Sequence, residues 1–239
     1  YNVERERLRD MERKEQQVFI DALKRELVPA LGCTEPIAIA YCAAKARETL
    51  GEFPVHLDIR CSGNIVKNVQ GVTVPNSNGL RGIDVAAVLG VVGGDPAREL
   101  EVLEGVTGED IRRTQELIGQ NFVACSLQED VENLYIVATA TSEKHRAEVT
   151  IVNRHTLITK IMYDDQVLFE RQPVEKEKYG EDWGCWSIGN ILEFADSVDL
   201  EEIRPTLQNQ IEKNSAIASE GLSGNYGARM GKTLLEVYG

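Results

Sequence analysis

Residues 122–170, FVACSLQEDVENLYIVATATSEKHRAEVTIVNRHTLITKIMYDDQVLFE, decide the fold class. Five short runs rich in β-branched residues (FVACSL, LYIVATA, AEVTIV, TLITKIMY, QVLFE) alternate with the polar breaks ED, EN, NRH and DD. Each run is too short for a helix and has the composition of a half-buried strand, which predicts an antiparallel meander or hairpins from roughly 120 to 170. Upstream, VHLDIRC at 55–61 alternates apolar and polar residues and predicts one more strand.

Helical patterns flank this middle. Phe19, Ala22, Leu23 and Leu27 recur at three- and four-residue spacing within residues 10–28, and Pro29 and Gly32 end that helix. A second helix should begin near Glu35 and Pro36, since proline tolerates the first turn and a carboxylate suits the positive helix end. Its body, IAIAYCAAKA, is apolar around nearly its whole circumference and predicts a buried central helix. SGN at 62–64 reads as a sharp turn, and 71–82 as turn-rich. AAVLGVVGG reads as a tightly packed helix ending at Gly93-Gly94, and Glu109 to Gly119 as another helix. After a charged stretch, RQPVEKEKYGEDWG, helical periodicity returns in WSIGNILEFA and again beyond Asp199, where Glu202 stands at capping-box spacing. Leu207, Ile211, Asn214 and Ala218 share one face of that last helix. The expected class is α+β, with an α/β-like character: a helical N-terminal portion, a mainly antiparallel sheet, and returning C-terminal helices. Three portions follow: 1–119 with the GCTEP and SGNIVKN motifs, 120–180 rich in strand, and 181–239 returning to the first.

Composition narrows the partners. In 239 residues, 39 acidic against 26 basic side chains give a formal charge of −13, which repels a phosphate backbone. With no basic stripe interleaved with aromatics, nucleic acid is excluded as a partner. The longest weakly polar run, Ile37 to Ala44, is less than half of what a bilayer requires, so no membrane is expected. The N-terminal YNVERERLRDMERKE lacks the apolar stretch of a signal peptide. Five widely spaced cysteines suit a reducing compartment, hence a cytoplasmic protein.

GCTEP at 32–36 carries the most chemistry. Cys33 would sit just before a helix N-terminus, where free backbone N–H groups favour a thiolate, and Gly32 lets a ligand come close. A thiolate there serves as a nucleophile or as a ligand to soft iron; the bland alternative is a small buried cysteine at a loop–helix junction. In SGNIVKN at 62–68, Ser62, Gly63 and Asn64 would form an anion-holding turn, with Lys67 and Asn68 one helical turn on, suited to an amino-acid carboxylate. An ordinary strand-to-helix turn with Lys67 in solvent is the alternative. The glycines of GLSGNYGARMG (221–231) match no phosphate-loop spacing and read as packing positions or as a ligand-shaped loop. Cys42 and Cys125 read as core residues, Cys61 and Cys185 as ambiguous. His56, His145 and His155 have no evident relay for a hydrolase triad.

ALGCTEPIAIAY, CSGNIVKNVQGVTVPNSNGLRG and AAVLGVVGG together resemble the serine dehydratase-like alpha-chain family, and within it the L-cysteine desulfidase branch. The resemblance implies an oxygen-sensitive [4Fe-4S] lyase that converts L-cysteine to pyruvate, ammonia and sulfide, with Cys33 as a cluster ligand. It also implies two further cluster cysteines in a C-terminal half marked by a CDGAK-like segment, which this sequence does not contain. The expectation is therefore of the N-terminal half to two-thirds of a family member. The cluster would be held only in the complete protein and absent from this chain, which would be inactive alone. Ser62, Asn64, Lys67 and Asn68 are the candidates for carboxylate or base roles, Lys67 alone having base capability if burial lowers its pKa. L-serine as substrate, and a non-catalytic scaffold or subunit, stay open beside L-cysteine. A family fold cut short also leaves apolar surface, from which a homo-oligomer is expected.

Overall fold

The computed structural model describes residues 12–172 and 185–239. In chain order the elements are α1 (Arg13–Glu26), α2 (Thr34–Leu50), β1 (His56–Cys61), α3 (Gly63–Val69), α4 (Ile83–Gly93), α5 (Gly108–Gly119) and β2 (Val123–Leu127). There follow β3 (Tyr135–Thr141), β4 (Arg146–Val152), β5 (Ile158–Tyr163), β6 (Gln166–Glu170), α6 (Ile188–Ser197), α7 (Leu200–Ser223) and α8 (Met230–Tyr238). This is an α+β protein, as the sequence predicts. Two compact units divide it: Pro29–Glu175, and Tyr1–Val28 together with Lys176–Gly239. The helices from α2 to α5 thus share one unit with the strand-rich middle. Past residue 172, the charged stretch RQPVEKEKYGEDWG lies outside the described residues.

In the unit Pro29–Glu175 the strands form one mixed sheet in the order β2-β1-β3-β4-β5-β6. β3 to β6 are the expected antiparallel meander. β2 differs: it pairs in parallel with β1, and β1 inserts between it and β3. A parallel neighbour needs a crossover, which α3 to α5 supply. Period-2 alternation puts Leu57, Ile59 and Cys61 on the same face as Ile136, Ala138, Ala140, Val149 and Ile151, all buried with α2 and α4. Every residue of α2 from Pro36 to Ala44 is buried, so the all-round apolar pattern marks a central helix.

The small side chains of α2 permit a close crossing with α4. A Cβ built on Gly90 would lie 2.2 Å from the carbonyl oxygen of Ala40, a separation that only glycine allows. Arg47 closes the far end of α4 by donating to the carbonyls of Val91 (2.9 Å) and Gly94 (3.2 Å), groups a helix terminus otherwise leaves unpaired. Cys42 lies in this core and donates to the Val149 carbonyl at 3.2 Å; Cys61 is buried beside it. Cys125, expected in the core, is instead exposed, because β2 is an edge strand. The opposite face of the sheet is polar. There Arg60 pairs with Glu148 at 3.0 Å, and Thr139 donates to the same carboxylate.

In the other unit α1, α6 and the start of α7 gather around Phe19, Ile20, Cys185, Phe194, Val198 and Ile203. The Phe19 ring stacks on Phe194 and tilts against Trp186. Asp199 caps α7 by accepting from the Glu201 N–H, but Glu202 does not complete the capping box: its carboxylate takes both arms of Arg13, at 2.7 and 2.6 Å. The glycines after residue 220 do not act together. A Cβ built on Gly221 or Gly227 would meet nothing within 4 Å, one on Gly231 would make an ordinary contact with Leu222, and one on Gly224 would strike the Tyr226 ring. Among the described residues no helix is long and apolar enough to cross a membrane.

Candidate functional site

The chain turns into α2 at Gly32, whose φ of +135° is a conformation side-chain-bearing residues rarely adopt. Cys33 follows as the N-cap residue and makes no capping bond through its sulfur. Instead its thiol, partly exposed, donates to Glu35 Oε2 at 3.2 Å, and the Thr34 hydroxyl donates to the same oxygen at 3.4 Å. The other carboxylate oxygen, Glu35 Oε1, accepts from Asn68 Nδ2 at 3.2 Å. Glu35 therefore joins the two sequence motifs, GCTEP and SGNIVKN, through one carboxylate.

The electrostatics follow from that arrangement. Burial would push the Glu35 carboxyl up, but hydrogen bonds from Cys33, the backbone and Asn68, with the field of His155, hold it below its ordinary value. The His155 imidazole, on the loop between β4 and β5, is itself pushed down by burial, against the pull of Glu35. Burial and the bond to Glu35 push the Cys33 thiol up. The expectation of a ready thiolate at the helix end is thus corrected. A carboxylate that already accepts the S–H proton outweighs a helix dipole worth at most about 1 kcal/mol at a partly exposed site.

The remaining candidates separate. Ser62 is buried and its hydroxyl is committed: it donates to the Asn133 carbonyl at 2.6 Å and accepts from the Ile65 N–H, capping α3. The expected turn is therefore the start of a short helix. Asn64 is exposed and, with Ser62 and Gly63, borders a groove of about 450 Å³ completed by Leu127 to Asn133. Glu129, Asp130 and Glu132 line that groove, so a substrate carboxylate would meet three acids where an anion-holding turn was expected. Lys67 stands exposed on α3, without the burial that a base role requires. The structure thus brings Cys33 and Asn68 together through Glu35 and leaves Ser62, Asn64 and Lys67 outside those hydrogen bonds. Glu35 and His155 are the residues that sequence reasoning missed. Glu35 was visible as the acid two positions after the cysteine; His155, far along the chain, gave no signal.

No cluster of three or more His, Cys, Asp or Glu side chains suited to a metal ion occurs among the described residues. A cubane with one open iron needs three protein thiolates. Here Cys33 stands alone, with Cys42, Cys61 and Cys185 buried and Cys125 on a sheet edge. The donor set of this chain does not fit a [4Fe-4S] cluster by itself.

The chain is similar to a UPF0597 protein of Lachnoclostridium phytofermentans, 46% identical over 221 residues, which are 92% of this chain and 53% of that protein. A UPF0597 protein of Finegoldia magna is 46% identical over 224 residues, 91% of this chain and 52% of that one. One from Treponema denticola is 34% identical over 228 residues, 95% and 53% respectively. The chain spans about half the length of these curated relatives. No family model matches it. No solved structure matches it either.

Proposed function

We propose that this chain contributes the Cys33 site of a β-eliminating amino-acid lyase that, in a complete protein, converts L-cysteine to pyruvate, ammonia and sulfide. The observation that carries this reading is the hydrogen-bonded set Cys33–Glu35–Asn68 at the start of a buried helix. It joins the two motifs on which the resemblance to cysteine desulfidases rests, in a site partly open to solvent. Glu35 orients the thiol and the Asn68 amide. The amide's second N–H and the exposed ammonium of Lys67 on the same helix are the groups suited to a substrate carboxylate. The cluster belongs to the complete protein, where residues outside this chain would supply the missing ligands and Cys33 would be one of three. L-serine is the second substrate reading, since only the leaving group changes.

The test is pyruvate release from L-cysteine and from L-serine after anaerobic reconstitution with iron and sulfide. It is run on this chain and on the full-length L. phytofermentans relative. Turnover by the relative and none by this chain alone is the expected result. Greater release from L-serine would move the assignment to a serine dehydratase. A folded relative that turns over neither substrate would overturn the lyase reading and favour a non-catalytic scaffold.

A further inference from the structure

The sheet of the unit Pro29–Glu175 has two unlike faces, one packed on α2 and the other polar. On the polar face, side chains that the register sets next to one another enclose a groove of about 480 Å³. Asp58, Thr139 and Glu148 form one row across β1, β3 and β4, and Thr141 and Arg146 lie in the next row. The short Thr139 and Thr141 make the floor, and the longer Asp58, Arg60, Arg146 and Glu148 stand around it. All six are strand residues, so the ladder fixes the backbone that carries them. Asp58 and Arg146 are two strands and one row apart, roughly 12 Å between Cα atoms at ordinary strand spacing.

The bonds around the groove leave particular groups over. Glu148 Oε2 accepts from Arg60 at 3.0 Å and from Thr139 at 3.1 Å, so that acid and that arginine neutralise each other. Arg146 differs. Its backbone is pinned by Asp164, whose Oδ1 accepts the Arg146 N–H at 2.9 Å and whose own N–H donates to the Arg146 carbonyl at 2.7 Å. Asp164 Oδ2 is taken by His145 at 3.0 Å. The Arg146 guanidinium itself makes no hydrogen bond or ion pair among the described residues. Across the floor, Asp58 meets His56 through Oδ1 at 3.4 Å, and its Oδ2 has no partner among the described residues. An unpaired guanidinium and an open carboxylate oxygen therefore flank two threonines. A chain of charge −13 repels a bare anion at long range, but not a molecule that carries both charges. The guanidinium fork suits a carboxylate, and Asp58 suits an ammonium group. The volume leaves room beyond them for a side chain.

We infer that this groove binds a small α-amino acid as its zwitterion, with the carboxylate on Arg146 and the ammonium on Asp58. The sheet lies between the groove and α2, which starts at Cys33, so the inference stands apart from the lyase reading. The isotope-labelled 239-residue chain is titrated with glycine, the smallest such zwitterion, up to about 50 mM, and its amide NMR shifts are followed. Saturable shifts on β1, β3 and β4 are expected, with a Kd of about 10 mM or tighter. Acetate and methylammonium each supply one charge and should bind at least about tenfold more weakly. Arg146→Gln and Asp58→Asn keep the shape of side chains that reach solvent, so far-UV circular dichroism should match the wild type. Each should weaken glycine binding at least about tenfold, and Arg113→Gln on α5 should leave it unchanged. The inference is overturned by no saturable shift, or by shifts confined to the surroundings of Cys33 and Asn68. Acetate binding as tightly as glycine, or an affinity unchanged by either groove variant, overturns it equally.

Discussion

Replacing Gly90 with alanine tests whether the α2–α4 crossing is as close as the structure has it. The added Cβ would sit 2.2 Å from the Ala40 carbonyl oxygen and 2.7 Å from the Ala40 Cα. Both are backbone atoms of a buried helix and have no rotamer with which to yield. An ordinary contact needs about 1 Å more, so α4 must lift away from α2 along its length. Opening a packed interface by that distance forfeits roughly a quarter to a half of each contact's attraction, and overpacking of this kind costs about 1–3 kcal/mol or more. Alanine regains about 1 kcal/mol of helix propensity. Because the clash is with backbone on both counts, the upper end of that cost applies, and a net loss of about 2 kcal/mol is expected, a fall in Tm of roughly 4–8 °C. Thermal unfolding followed by far-UV circular dichroism measures it. Gly119→Ala is the matched control: it ends α5, its Cβ meets nothing within 4 Å, and it should be neutral or stabilising. A Gly90→Ala protein as stable as the wild type would refute the close crossing, and with it the packing that fixes the helix bearing Cys33.

Thr114 is fully buried in α5 and its hydroxyl has no hydrogen-bond partner; Thr114→Val should raise stability by about 1 kcal/mol in urea denaturation, since the unpaired polar atom is removed at constant shape. Glu35→Gln removes the charge behind one cause of the raised Cys33 pKa, so the midpoint of Cys33 alkylation against pH, read by peptide mass spectrometry, should move down; an unchanged midpoint would show that the carboxylate does not act on the thiol. Burial pushes the Cys61 thiol up from 9.0 to about 12, so the folded chain keeps a proton that the unfolded chain releases. That contribution is whole below pH 9 and is lost as pH rises from there towards 12, at up to about 1.4 kcal/mol per pH unit. Cys61→Ala should flatten the decline in urea midpoint over that window, and an identical slope in the variant would contradict the assignment.

The parts of this fold legible in the sequence are those whose cause is local. Strands β3 to β6 announce themselves because each is a run of seven residues or fewer rich in β-branched or aromatic side chains, and α2 because its apolar body exceeds any strand. The pairing of β2 is not local. It depends on three helices carrying the chain back beside β1, and no residue of FVACSL records that journey. The same cause misplaces Cys125. Its register partner Ile59 is buried, so alternation assigns both to the core side, but a strand at the sheet edge lacks the cover that the central strand receives. The turn expected at SGN became α3 because Ser62 spends its hydroxyl as a cap, a choice that depends on Asn133 lying within reach.

The candidate site divides along the same line. Cys33 and Glu35 are two positions apart, so their meeting follows from the geometry of one helix start, and a reading that weighed the dipole without the adjacent acid assigned the proton wrongly. Asn68 reaches Glu35 only because β1 and α3 return the SGNIVKN segment to the start of α2. His155 reaches the site's field from a loop of the meander, a separation of 120 positions from Glu35. Two distant segments thus converge on one carboxylate whose hydrogen bonds hold it ionised beside a protonated thiol. For Cys33 to serve as a nucleophile or as a metal ligand its proton must leave, and the group that already accepts that hydrogen is Glu35. Any activity carried by Cys33 should therefore change when Glu35 is replaced, because this carboxylate holds the thiol proton in place.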